Sequence, residues 1–125
     1  MSDASRFNSA APCLSVRDML RSLEFYQRVL GFESGHLEAD PPVYATLHRD
    51  DVAIHLALDR DGEKAGSNSC CVFVTNVDAL YEACVAAGAK IARQIEDSPY
   101  GLRDFNLSDP DGNVILFGES VRKKS

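Results

Sequence analysis

Cys13-Leu14-Ser15-Val16, followed by Arg17-Asp18-Met19-Leu20-Arg21-Ser22-Leu23-Glu24-Phe25-Tyr26-Gln27-Arg28-Val29-Leu30-Gly31, reads as a strand running into a helix. Met19, Leu23, Tyr26 and Leu30 recur at spacings of four, three and four, the period of one helix face. Asp18 is placed to cap the start, and Gly31 to end the helix in the left-handed conformation. The same phrase returns 58 residues later, Val74 answering Val16. Cys71-Val72-Phe73-Val74 leads to a cap at Asn76, apolar positions at Val77, Leu80, Tyr81 and Cys84, and a stop at Gly88.

Working outward, three strand-like stretches follow each helix. They cover about 32–38, 43–49 and 52–58 in the first half, and 90–95, 102–108 and 113–119 in the second. The turns Arg49-Asp50-Asp51-Val52 and Asp109-Pro110-Asp111-Gly112 join the last two strands of each half. The order βαβββ therefore occurs twice, and a repeat of this length is a signal at the level of the fold. Residues 59–68, rich in Asp, Gly, Lys and Ser, read as the linker between modules at about 11–58 and 69–119.

The 125 residues suit a single domain, with 45% hydrophobic and 26% charged residues, an ordinary globular balance. No apolar run approaches the roughly 20 residues of a membrane span. The opening MSDASRFNSAAP lacks the basic and apolar regions of a secretory signal and reads as a disordered arm, VRKKS as a frayed tail. A net charge of −6 disfavours nucleic acids and anionic membranes, and mildly favours neutral or cationic ligands. The four cysteines, Cys13, Cys70, Cys71 and Cys84, have no zinc-type spacing. They are expected to be reduced thiols in a cytoplasmic protein.

Strand parity separates the two faces of the hairpin after Tyr44. Ala45, Leu47, Val52, Ile54, Leu56 and Leu58 share one face and are expected to bury against the helices. Tyr44, Thr46, His48, Ala53, His55 and Ala57 share the other. That mixture suits a cavity wall better than a solvent-facing sheet side, because alanines and a tyrosine are poor choices for solvent. The same parity turns Ala11, Cys13 and Ser15 inward on the first strand, and Ser69, Cys71 and Phe73 on the fifth. Leu102, Asp104 and Asn106 follow on the seventh, and Val114, Leu116 and Gly118 on the eighth.

Val16-Arg17-Asp18, Ser22, Phe25-Tyr26 and Leu30-Gly31-Phe32 resemble the opening module of the vicinal-oxygen-chelate superfamily, which includes glyoxalases, bleomycin-resistance proteins and extradiol dioxygenases. Asn76-Val77-Asp78-Ala79-Leu80 resembles the helix of its second module. Arg103-Asp104-Phe105, Asp109-Pro110-Asp111-Gly112-Asn113 and Leu116-Phe117-Gly118-Glu119 resemble the closing strands of the bleomycin-resistance-like branch. The resemblance spans about 11–119. It implies an α+β fold in which two βαβββ modules form an open, barrel-like mixed sheet with the helices outside. It also implies a homodimer.

Enzymes of that superfamily hold a divalent metal through four inward positions, which fall here at Ala11, His55, Ser69 and Leu116. Only His55 is a ligand type, and one donor does not anchor a divalent ion. His48 sits near the turn, and His36 reads as a solvated strand residue. No metal or other cofactor is therefore expected. The resistance-protein branch binds a bulky cationic glycopeptide, bleomycin, in crevices of its dimer and does no chemistry on it. The implied function is metal-free, non-catalytic sequestration of such a molecule. The expected wall residues are Tyr44, Thr46, His48, His55, Phe73, Tyr100, Arg103, Asp104 and Leu116. Tyr44, Phe73 and Tyr100 offer stacking faces, Asp104 a partner for a cationic group, and His55 a hydrogen bond. The alternative is a glyoxalase I-like lyase, dioxygenase or thiol transferase of the same superfamily. His55 with His48, Cys13 or Cys71 as a metal-free acid–base or thiol site, and a pure interaction module, are weaker readings.

Overall fold

The computed structural model describes residues 4–121, so the extremities of the expected N-terminal arm and C-terminal tail lie outside the described residues. The first module runs β1 (Cys13–Val16), α1 (Met19–Arg28), β2 (Glu33–Glu38), β3 (Tyr44–Arg49) and β4 (Val52–Leu58). The second runs β5 (Ser69–Phe73), α2 (Val77–Ala86), β6 (Lys90–Asp97), β7 (Leu102–Ser108) and β8 (Val114–Ser120). Asp18 caps α1 by accepting from the Arg21 amide, and Asn76 caps α2 through the Ala79 amide. Gly31 and Gly88 both take positive φ just past the helices, where a Cβ is costly.

Each module forms its own four-stranded mixed sheet, in the orders β1-β4-β3-β2 and β5-β8-β7-β6. β1·β4 and β5·β8 are the parallel pairs, while α1 crosses from β1 to β2 and α2 from β5 to β6, the two edges of each sheet. The sheets do not close into a barrel: each keeps two edges of its own. This is the expected α+β arrangement of two open βαβββ modules, built as two four-stranded mixed sheets.

The predicted apolar faces are the core. Leu14, Val16, Ala45, Leu47, Ile54 and Leu56 are buried in the first module, and Val72, Phe105, Leu107, Ile115 and Phe117 in the second. Val52 and Leu58, near the strand ends, are only partly buried. The apolar core is continuous across the two modules. Phe105 packs edge-on against Tyr81 of α2 at 5.0 Å and lies 5.5 Å from Phe117.

A polar clamp joins the modules where α1 meets the β7–β8 turn. Asp109 Oδ1 accepts the Asp111, Gly112 and Asn113 amides at 2.9–3.0 Å, which shapes the turn. Its Oδ2 accepts the Tyr26 hydroxyl at 3.0 Å and Asn113 Nδ2 at 2.9 Å. Asp111 takes Arg21 at 2.8 Å and Arg17 at 3.3 Å. Asn113 Nδ2 also donates to the Ser15 carbonyl, and the Ser15 amide donates to Asn68 Oδ1. The four cysteines are free thiols, with Cys84 buried and Cys70 half-buried. Burial, the largest cause in each, lifts both to about 11. Among the described residues no helix is long and apolar enough to cross a membrane.

Candidate functional site

The side of each sheet away from its helix is uncovered. On the first sheet, register sets Cys13 beside His55, Thr46 across from His55, Tyr44 across from Ala57, and His48 across from Ala53. The Tyr44 hydroxyl and His55 Nδ1 are 2.7 Å apart, with the rings edge to face at 5.6 Å. Partial burial, and then the neighbouring Cys13 thiol, push the Tyr44 phenol above its ordinary range. Thr46 Oγ1 accepts the His36 amide at 2.8 Å, which occupies one of its lone pairs. His48 stands at the edge, 3.8 Å from Glu33, with about half its side chain in solvent. The predicted group Tyr44, Thr46, His48 and His55 is thus brought together, with Cys13 added to it. The face is open rather than the wall of a cavity enclosed by this chain.

On the second sheet Cys71 pairs with Leu116, Phe73 with Gly118, Asp104 with Gly118 and Asn106 with Leu116. Gly118, between Phe73 and Asp104, is buried, and a Cβ there would touch Asp104 and Leu116 at 3.5 Å. Phe73 is 67% exposed, unusual for a phenylalanine on a strand. Asp104 is buried under Arg93, whose Nη2 lies 2.6 Å from Asp104 Oδ1. An incoming cation therefore competes with a guanidinium already in place. Asn106 Oδ1 is buried without a hydrogen-bond partner. Such an acceptor costs about 1–3 kcal/mol until something donates to it.

Two expected wall residues lie elsewhere. Arg103 precedes Asp104 by one position and so points to the opposite, helix side, where it bonds Asp78 at 2.9–3.1 Å and Asp97 at 3.2 Å. Tyr100 is 80% exposed in the β6–β7 loop, off both sheet faces. Sequence reading left out Cys13 and Asn106 as contact residues although their parity was right. It also missed Arg93, because register shifts either side of Arg93 break the alternation of β6.

The four positions of a vicinal-oxygen-chelate metal centre do not fit one here. Ala11 and Leu116 have no donor atom and Ser69 only a hydroxyl, while His55 Nδ1 is already engaged by Tyr44. Among the described residues no cluster of three or more His, Cys, Asp or Glu is placed to hold a metal ion.

Paired βαβββ modules with uncovered sheet faces define a class of small-molecule-binding and enzymatic folds, and residues 6–117 match the Glyoxalase/Bleomycin resistance protein/Dioxygenase superfamily. The chain belongs to that superfamily. It is 30% identical to the bleomycin resistance protein of Geobacillus stearothermophilus, over 89% of this chain and 96% of the relative. Among solved structures it is similar to the bleomycin-binding protein of Streptomyces verticillus complexed with copper(II)-bleomycin, with TM-score 0.77, 27% identity, and 90% and 96% coverage of the two chains. TioX from Micromonospora sp. ML1 shares the fold, with TM-score 0.79, 22% identity, and 91% and 99% coverage of the respective chains.

Proposed function

We propose that this protein binds and sequesters a bulky, cationic glycopeptide of the bleomycin type, without metal and without chemical turnover, as a cytoplasmic homodimer. The observation that carries the reading is the pair of uncovered sheet faces, one bearing Tyr44 and His55, the other Phe73, Leu116 and the unpartnered Asn106. A bulky ligand on one open face keeps its other side in water, whereas tight small-molecule sites bury most of the ligand. A second copy of the chain supplies the opposite wall, which is the physical reason for a shared, dimeric site. Similarity to relatives that carry bleomycin resistance, and to one solved with copper(II)-bleomycin, supports the ligand class.

Bleomycin titrated into the metal-free protein is expected to quench tyrosine fluorescence saturably, with a stoichiometry per dimer fixed by calorimetry. Phe73→Ala should weaken it by about tenfold, the loss of one stacking contact of roughly 1.5 kcal/mol. No saturable binding of bleomycin or related glycopeptides would end this ligand assignment. The runner-up, a metal-dependent lyase, dioxygenase or thiol transferase, needs donors that Ala11, Ser69 and Leu116 do not provide. Stoichiometric Ni, Zn, Fe or Mn in protein purified without chelators would restore it.

A further inference from the structure

The modules meet at two junctions related by the internal repeat, and they are filled differently. At the first, α1 faces the β7–β8 turn, and Arg17, Arg21, Ser22 and Tyr26 all reach Asp109 or Asp111. The repeat lays α2 against the β3–β4 turn in the same manner. Fifty-eight residues on, Arg17, Arg21, Ser22, Phe25 and Tyr26 are replaced by Thr75, Ala79, Leu80, Ala83 and Cys84. On the turn, the place of Asp109 is taken by Arg49. The long polar and aromatic side chains have gone from the helix, and the turn carries a cation at the place of Asp109, followed by Asp50 and Asp51.

The result is a cavity of about 820 Å³ at this second junction. Leu30, Phe32, Val72 and Phe117 line it and are all nearly inaccessible, so they form its floor. Arg28 and Arg49, each about half exposed, stand at its rim with Asp50 and Asp51. Arg49 is held in place by its Nη1 bond to the Leu30 carbonyl at 2.9 Å. Its nearest carboxylate, Asp50, is 3.9 Å away on a side chain 90% in solvent, a weak partner. The helix positions facing Arg49 carry Thr75, Ala79, Leu80 and Ala83, none of which answers its charge. Val72 and Phe117 belong to the core side of the second sheet, opposite Cys71 and Leu116, so this cavity is distinct from the open faces, with Phe73 alone at the rim of both.

We propose that this junction cavity is a second binding site, for a compact apolar carboxylate. The hydrocarbon body lies on Leu30, Phe32, Val72 and Phe117, and the carboxylate meets the Arg49 guanidinium, supplying the anion that Ala79, Leu80 and Ala83 of α2 do not. The volume is in the range of small-molecule pockets, and an apolar floor with a fixed guanidinium at its rim suits an amphipathic anion.

The test is a two-dimensional ¹H–¹⁵N NMR titration of the full chain with octanoate and, separately, with 1-octanol, which has the same tail without the charge. Octanoate should shift the Leu30, Val72 and Ala83 amides saturably, with at least tenfold higher affinity than the alcohol. Ala83→Phe, which restores the residue of the first junction, should abolish both. Arg49→Gln should bring octanoate down to the level of 1-octanol while leaving the alcohol's affinity unchanged, which shows that the cavity persists. Shifts confined to the open faces around His55 and Leu116, octanoate affinity undiminished in Ala83→Phe, or a carboxylate preference surviving in Arg49→Gln would each overturn the proposal. Should Ala83→Phe fail to fold, the Arg49→Gln comparison alone decides it. Bleomycin binding is measured on other faces, so either result leaves that question separate.

Discussion

Tyr26→Phe isolates one atom of the clamp between the modules. The ring is fully buried and packs edge-on against Phe25 at 5.2 Å and Phe32 at 6.2 Å, contacts that phenylalanine keeps. The only loss is the hydroxyl, which donates to Asp109 Oδ2 at 3.0 Å. Hydrogen bonds to charged groups are worth about 1.5–3 kcal/mol. Asp109 Oδ2 keeps the Asn113 amide and Oδ1 keeps its three backbone donors, so the turn itself survives. The expected cost is therefore about 2 kcal/mol, equivalent to a fall in Tm of roughly 5–12 °C for a chain of this size. Urea unfolding at pH 7 and fixed protein concentration, which holds any dimer linkage constant, reads it as a lower midpoint at unchanged slope. Burial first, and then the charge of Asp109, raise the Tyr26 phenol well above its usual range. A raised folded pKa gives stability that is present below the unfolded value of about 10 and lost as pH climbs past it, so the gap between wild type and Tyr26→Phe should narrow above pH ~10. A midpoint within about 0.5 kcal/mol of wild type at pH 7 would show that the clamp is not what joins the modules.

Asn106→Leu should separate stability from binding. Removal of a buried, unpartnered carbonyl is expected to raise Tm, while affinity for a bleomycin-type ligand falls about tenfold if the ligand donates to that oxygen; unchanged affinity in calorimetry would remove Asn106 from the site. Gly66 has φ +85° and an added Cβ would run into the Asp111 carbonyl. Gly66→Ala should thus cost roughly 2 kcal/mol or more in urea unfolding, and a neutral result would show that the linker does not lie against the Asp111 carbonyl. The hydrogen bonds from Arg103 lower the pKa of Asp78, and those from the Val77 and Asn76 amides lower that of Glu119. Depressed carboxylates give stability that is present above their unfolded values near 4 and lost as pH falls through the folded ones. Asp78→Asn with Glu119→Gln should flatten the acid limb of a Tm–pH profile below about pH 4.5; an acid limb as steep as wild type would place the acid sensitivity elsewhere.

Sequence reading was sharpest where the physics is local. Asp18 and Asn76 cap the helices and Gly31 and Gly88 end them because each rests on one residue's backbone preference. The buried and open faces of β3 and β4 followed from alternation, which no long-range contact overrides when one side is wholly aliphatic. It failed where the answer lies between distant segments. Arg103 was grouped with Asp104 by chemistry, although adjacent strand residues cannot share a face, and its true partners, Asp78 and Asp97, lie on α2 and β6. The Asp104–Arg93 pair was invisible because the irregular register of β6 hides which way Arg93 points.

The two junctions show how a duplicated module gains a second use without losing its fold. If both helices kept the small residues of α2, nothing polar would fix the orientation of one sheet against the other. If both kept the residues of α1, there would be no cavity. Here the clamp is concentrated on one side, where Asp109 and Asp111 together accept from Tyr26, Ser22, Arg21 and Arg17. The Ser15, Asn68 and Asn113 bonds extend it along β1 and the linker. With one junction so tied, the void at the other costs only the packing missing from Ala79 and Ala83. That cost is recoverable by filling the void, and this yields a stability counterpart to the binding test: Ala83→Phe, the residue the first junction already accommodates in Phe25, should raise Tm if the space is truly unfilled. A fall in Tm of more than a few degrees would mean that the second junction is already packed, and the asymmetry argument would fail with it.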